Sequence, residues 1–344
     1  MNLSMRIASL ATVGALVVGA AIISMNNATA ADPIAWRLDW GLVETRSESK
    51  LVKEYVERVN SRLAGKFKID VSYGGTLGIA QADYLRALKS GGVEMASLYA
   101  GYFSRDLPEL TAAYATAASA NFDEIKKIAP VIAQINSEGF ATWDITTIAN
   151  VMIPAYDWHF LCKTPVADLK TLRTKKVRAN DGTMAATFAV LKVNAQIVPQ
   201  SETYLALQTG VIDCTVYPVA IAKTLSLQEV TKFASYFIPH SAMPIGIGVN
   251  NAKWAALDPA IRQVLTDEGQ TLWKKSLDDA VDPKIRGSEV QAVLASTDIK
   301  LLPPFPDADR ATIVDGIRTA WADLATKAGR RAPEWRERVL QALK

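Results

Sequence analysis

The chain has 344 residues, 49% of them hydrophobic and 21% charged, with a formal net charge of +3. No basic block is longer than Lys175-Lys176 and its neighbours, which argues against nucleic acid as a partner. His159 and His240 are the only histidines and Cys162 and Cys214 the only cysteines, so Cys/His zinc spacings are absent and no metal or cofactor is implied.

In chain order, Met1–Ala31 carries Arg6, then an apolar stretch from Ile7 to Met25, then Ala28-Thr29-Ala30-Ala31. This predicts a secretory signal peptide over residues 1–30, cleaved on export to the periplasm. A membrane anchor is the rival, since Ala8–Ser24 approaches the roughly 20 apolar residues that span a bilayer. The small and polar residues that follow at once favour cleavage. Roughly 300 residues remain, more than one compact core of ~100–200, so two lobes are expected. In an oxidising compartment a Cys162–Cys214 bridge is chemically allowed, and two buried thiols are the alternative.

Ala35–Trp40 reads as a first strand, and Ser47–Leu63 follows with Leu51, Tyr55, Val56 and Val59 at helical spacing. Phe67–Tyr73 alternates as a strand and ends on the turn signal Gly74-Gly75; Ala80–Ser90 is a helix stopped by Gly91-Gly92, and Val93–Leu98 is a third strand. Strands alternating with helices predict an open α/β sheet. The pattern repeats with helix Phe122–Asn136, strands Thr147–Ile153 and His159–Cys162, helix Val166–Leu172, strand Lys176–Arg178, helices Gly182–Leu191 and Glu202–Gln208, and a strand around Ile212–Thr215.

A strand at Ile245–Val249 resumes the first lobe. The expected division is residues 31–155 with 244–283 in one lobe and 156–243 with 284–344 in the other. Connections that cross in this way form a hinge with a cleft between lobes. Pro259–Ala280 is a long helix restarted at Asp282-Pro283 and expected to span both lobes, and a helical tail over Asp307–Leu343 carries Trp321 and Trp335, read as packing residues.

Three runs carry a resemblance: Tyr73-Gly74-Gly75-Thr76-Leu77-Gly78, Ala167-Asp168-Leu169-Lys170 through Lys176-Val177-Arg178, and Ser201-Glu202-Thr203-Tyr204-Leu205-Ala206-Leu207-Gln208-Thr209-Gly210-Val211-Ile212-Asp213. They resemble the DctP-type solute-binding proteins of TRAP (tripartite ATP-independent periplasmic) transporters, in the family's order and over essentially the whole mature chain. The resemblance implies a two-lobed α/β periplasmic-binding-protein fold, a small organic acid as ligand, membrane transporter subunits as partners and no catalysis. It also implies that Arg178 pairs with the ligand carboxylate, which suits a permanently charged guanidinium with parallel donors. A local ion pair with Asp181 is the competing role for Arg178.

The chain departs from the family pattern twice. Where many members have a second arginine about 20 positions earlier, the register places Trp158, and where asparagine is common this chain has Tyr217 in Asp213-Cys214-Thr215-Val216-Tyr217-Pro218. Tyr99 at the end of the third strand, Trp40 with Glu44 near the end of the first, and Gln200 before the Ser-Glu run complete the expected ligand-binding set. One fixed cation among aromatic walls suits an aromatic or apolar monocarboxylate better than a compact dicarboxylate. Two other functions share parts of this sequence: a ligand sensor for a signalling partner, and an enzyme working through carboxylates. Gly-x-Ser-x-Gly is absent, and two histidines leave little room for a Ser/His/acid arrangement.

Overall fold

The computed structural model describes residues 33–113, 122–239 and 243–344. The expected signal peptide lies outside them. Along the chain the strands are β1 (Ile34–Trp40), β2 (Phe67–Tyr73), β3 (Met95–Leu98), β4 (Ile145–Met152), β5 (Asp157–Cys162), β6 (Lys176–Ala179), β7 (Asn194–Ile197), β8 (Cys214–Tyr217), β9 (Phe233–Pro239), β10 (Pro244–Asn250) and β11 (Lys300–Leu301). They form a five-stranded sheet, β2-β1-β3-β10-β4, and a six-stranded sheet, β11-β9-β5-β8-β6-β7. The chain therefore passes from the first sheet to the second between β4 and β5, returns at β10 and passes over again before β11. This is the two-lobed α/β architecture with crossed connections.

The first lobe is built on two periodicities, strand residues at spacing two and helix residues at three and four. β1 and β2 run parallel in register from Ile34 opposite Phe67 to Trp40 opposite Tyr73. The helix joining them, Ser47–Arg62, buries Leu51, Val52, Tyr55, Val56 and Val59 on one face against the sheet. The helix Tyr84–Ser90 ends at Gly91, whose φ of 79° is the left-handed cap that glycine adopts without strain. The expected helix over Ala80–Ser90 begins instead as a tight turn, Gln81–Asp83, and that turn brings Gln81 to the cleft.

In the second lobe, β5 and β8 are antiparallel neighbours with Cys162 directly opposite Cys214, and the two are joined as a disulfide. Asp168 caps the short helix Leu169–Leu172, accepting from the Thr171 N–H, so the helix starts later than the expected Val166. Three strands go beyond the sequence reading: β7, β9 and β11. Of these β9 matters most, because it pairs with β5 and stacks Phe237 on Phe160 with ring centroids 4.1 Å apart.

Helix Pro259–Ala280 packs on β4 and on Ser47–Arg62, and the Ala280 carbonyl accepts the Ala155 N–H at 2.8 Å where the chain passes between sheets. After Asp282, which caps the next helix through the Lys284 N–H, Pro283–Ala295 packs on the Val219–Leu225 turn of the second lobe. The expected long helix thus serves both lobes as two helices broken at Pro283. In the tail, Asp307–Lys327 covers the helix Gly182–Val190, whereas Arg331–Ala342 packs on Phe122–Ala141, a helix lying on β4 and β10 of the first sheet. That last helix falls in the stretch the sequence assigns to the second lobe. The indoles of Trp321 and Trp335 are buried packing groups whose Nε1–H donates to Ala112 O and Glu138 Oε2. No helix among the described residues is long and apolar enough to cross a membrane.

Candidate functional site

In each lobe parallel strands (β1 and β3, β6 and β8) bring their carboxyl ends to one place, where open α/β sheets leave a crevice. Residues at and just past those ends, with Trp158 from the start of β5, line a cavity of about 80 Å³ between the lobes, room for several water molecules. Arg178, Trp158, Tyr217, Tyr99 and Gln200 line it, as do Arg46, Gln81, Ser97, Tyr102, Tyr156 and Asn180.

Arg178 lies on β6 and is only 2% exposed. Its Nε donates to the Val198 carbonyl at 2.8 Å, which fixes the plane of the guanidinium and leaves the two terminal nitrogens for another acceptor. No carboxylate among the described residues forms an ion pair with it. Asp181, the competing partner, is occupied elsewhere: it caps the helix Gly182–Val190 through the Met184 N–H at 2.8 Å and accepts from Asn180 Nδ2 at 3.2 Å and from the Tyr99 hydroxyl at 3.4 Å. Burial raises the pKa of Asp181 above the ordinary carboxylate value, with those donors opposing it.

Arg46 is a cavity residue that the sequence reading missed. It follows β1, is 4% exposed, and holds Glu48 through Nε at 2.6 Å and Nη2 at 2.5 Å. Its Nη1 donates to the Tyr217 hydroxyl at 3.0 Å, joining the loop after β1 in one lobe to the end of β8 in the other. Burial works against its charge, but Glu48 together with the Tyr217 and Tyr156 hydroxyls raises the pKa. The signal available in sequence was the pair Arg46-x-Glu48 just beyond the carboxyl end of the first strand.

Two expected ligand-binding residues do not reach the cavity. Trp40 is fully buried, because strand alternation puts it with Leu38 under the helix Ser47–Arg62, where its Nε1–H donates to Ser49 Oγ at 2.8 Å. Glu44 is on the surface, paired with Lys53 at 2.8 Å. Trp158 does face the cavity, with its ring 6.2 Å from that of Phe237. Tyr99 and Tyr102 meet edge to face at 4.9 Å, and burial pushes the Tyr102 hydroxyl pKa up, so it remains a protonated donor. Among the described lining residues there is no carboxylate and no histidine. The arrangement is suited to holding an anion rather than to moving protons.

Residues 43–282 match the model of the family described as bacterial extracellular solute-binding protein, family 7 (DctP). The chain is 26% identical over 305 residues to the 2,3-diketo-L-gulonate-binding periplasmic protein YiaO of Escherichia coli (strain K12), covering 83% of each chain. Its fold is similar to that of DctP7, a Bordetella pertussis extracytoplasmic solute receptor binding pyroglutamic acid, with a TM-score of 0.78 at 18% identity over 90% of this chain and 99% of that one. It is also similar to a marine metagenome TRAP solute-binding protein specific for aromatic acid ligands, with a TM-score of 0.76 at 18% identity over 90% of this chain and 98% of that one.

Proposed function

The chain belongs to the bacterial extracellular solute-binding proteins of family 7, which are binding proteins and not enzymes, and on that premise we propose that it captures a small monocarboxylic acid with an apolar or aromatic body and delivers it to TRAP transporter membrane subunits. Residues 1–30 act as the signal peptide that exports it to the periplasm. The observation that carries the ligand reading is Arg178, a buried guanidinium with its terminal nitrogens left over at the cavity and no ion pair among the described residues. A carboxylate received there makes two parallel charge-assisted hydrogen bonds.

The preference for one carboxylate follows from the second arginine. Arg46 is already neutralised by Glu48, so a dicarboxylate would bring a second charge to a place with no uncompensated cation. Trp158, Tyr99, Tyr102, Tyr156 and Tyr217 give the remaining walls flat apolar surface. The similar proteins bind a sugar acid, pyroglutamic acid and aromatic acids, so the shared fold leaves the choice of acid to these walls.

A thermal-shift screen of the purified exported protein with aromatic monocarboxylates, aliphatic monocarboxylates, C4–C6 dicarboxylates and sugar acids tests the proposal, with Arg178→Ala alongside. A ligand bound only by the native state raises the melting temperature. Stabilisation by an apolar or aromatic monoacid that disappears in Arg178→Ala is the expected result. Stabilisation by dicarboxylates alone would overturn the preference for one carboxylate, stabilisation by sugar acids alone would overturn the apolar or aromatic body, and the absence of any Arg178-dependent shift would overturn the carboxylate role.

A further inference from the structure

Beside the carboxylate position the cavity presents two amide oxygens with nothing to accept. Asn180 follows β6 two residues after Arg178, so both come to the cavity from the same strand end. Its Nδ2 donates to Asp181 Oδ2 at 3.2 Å, which sets the orientation of the amide and puts Oδ1 on the other branch. That Oδ1 is buried and has no hydrogen-bond partner among the described residues. From the opposite lobe, Gln81 Oε1 is likewise buried and unpartnered. The Gln81 amide has its place because residue 41 is glycine: a Cβ there would stand 1.9 Å from Gln81 Nε2.

A buried acceptor without a donor is costly, and a ligand that supplies the donor recovers what one lacking it forfeits. Resting on the reading of Arg178 as the carboxylate site, we infer that the ligand is an acid carrying a neutral hydrogen-bond donor near its carboxylate, a hydroxyl or an amide N–H, directed to Asn180 Oδ1, with Gln81 Oε1 taking a donor from the side of the other lobe. A simple alkanoate or arylalkanoate leaves both oxygens unsatisfied. A 2-oxo acid offers them a further acceptor. An ammonium group is disfavoured, since no carboxylate among the described lining residues faces it and Arg178 stands beside it. The class is therefore hydroxy acids and lactam acids, and the amide oxygens are its specificity determinants.

Matched acids separate this inference from the one beneath it. Calorimetric titration of the exported protein would compare lactate with propionate, mandelate with phenylacetate, and pyroglutamate with cyclopentanecarboxylate, using both enantiomers of each chiral acid. Within each pair the carboxylate is kept and the donor is the main difference. In the pair that fits the walls best, the donor-bearing acid should bind at least about tenfold more tightly. Asn180→Ala should bring that ratio to within about twofold, and Gln81→Met should reduce it independently, whereas Arg178→Ala should weaken both members of the pair. Equal binding within every pair, still dependent on Arg178, overturns the donor requirement and leaves the carboxylate site standing. Failure of all six acids to bind overturns both. Should Asn180→Ala not fold, the ratios in the unaltered protein and in Gln81→Met decide the question.

Discussion

Arg178 and Arg46 are both guanidinium groups buried at one cavity, and their different partners give them different roles. Arg46 has its charge matched by Glu48, while Arg178 has one backbone carbonyl and a pair of nitrogens left over. Arg178→Lys keeps the charge but loses both the Nε bond to Val198 and the planar fork, so ligand affinity should fall by about 2 kcal/mol, some thirtyfold, in a calorimetric titration. A second residue-scale prediction concerns His159. Its Nδ1 lies 3.0 Å from the Asp157 carbonyl, and burial pushes its pKa from 6.5 down to about 4. The unfolded chain takes up the proton first on acidification, so this contribution is complete above pH 6.5 and is lost as pH falls towards 4. About 3 kcal/mol is involved. Denaturant unfolding across that range should show the loss, and His159→Gln should flatten that part of the profile. At this scale the sequence was informative in part. Strand ends point to Tyr99 and equally to Trp40, but Trp40 is turned into the core beneath the helix Ser47–Arg62, while Arg178 and Tyr217 are expected from the resemblance and line the cavity.

Elements were legible where their period was clean. β2 alternates and Pro259–Ala280 opens with proline at the first turn, and both have the boundaries the sequence suggests. β9 has no such period: Ala234 and Ser235 are buried together, then Phe237 and Ile238, so no single face reads as apolar along Phe233-Ala234-Ser235-Tyr236-Phe237-Ile238-Pro239. The irregularity is physical, because the β5–β9 register shifts between Trp158 and His159. The disulfide joins the far end of β5 to the start of β8, closing a separation of 52 residues. Its removal should cost roughly 2–4 kcal/mol. The Cys162→Ala/Cys214→Ala double variant should therefore melt lower by several degrees in calorimetry, and an unchanged melting temperature would show that strand pairing alone holds β5 to β8.

At the scale of the molecule, the hydrogen bond from Arg46 to Tyr217 ties the two lobes together across the cavity without any ligand atom. A bond from a charged donor contributes roughly 1.5–3 kcal/mol, and each 1.4 kcal/mol changes a population ratio tenfold. If that bond forms only when the lobes are together, it sets how much of the free protein is already closed, and affinity falls in proportion when that fraction falls. Tyr217→Phe removes the hydroxyl and keeps the ring against the cavity. Small-angle scattering of the ligand-free variant should then show a larger radius of gyration than the unaltered protein, and the affinity for its acid should drop about three- to tenfold. The two measurements together locate the effect. A weaker affinity with unchanged scattering would mean that the Tyr217 hydroxyl contacts the ligand directly, and expanded scattering with matched loss of affinity places its contribution in the closing of the lobes.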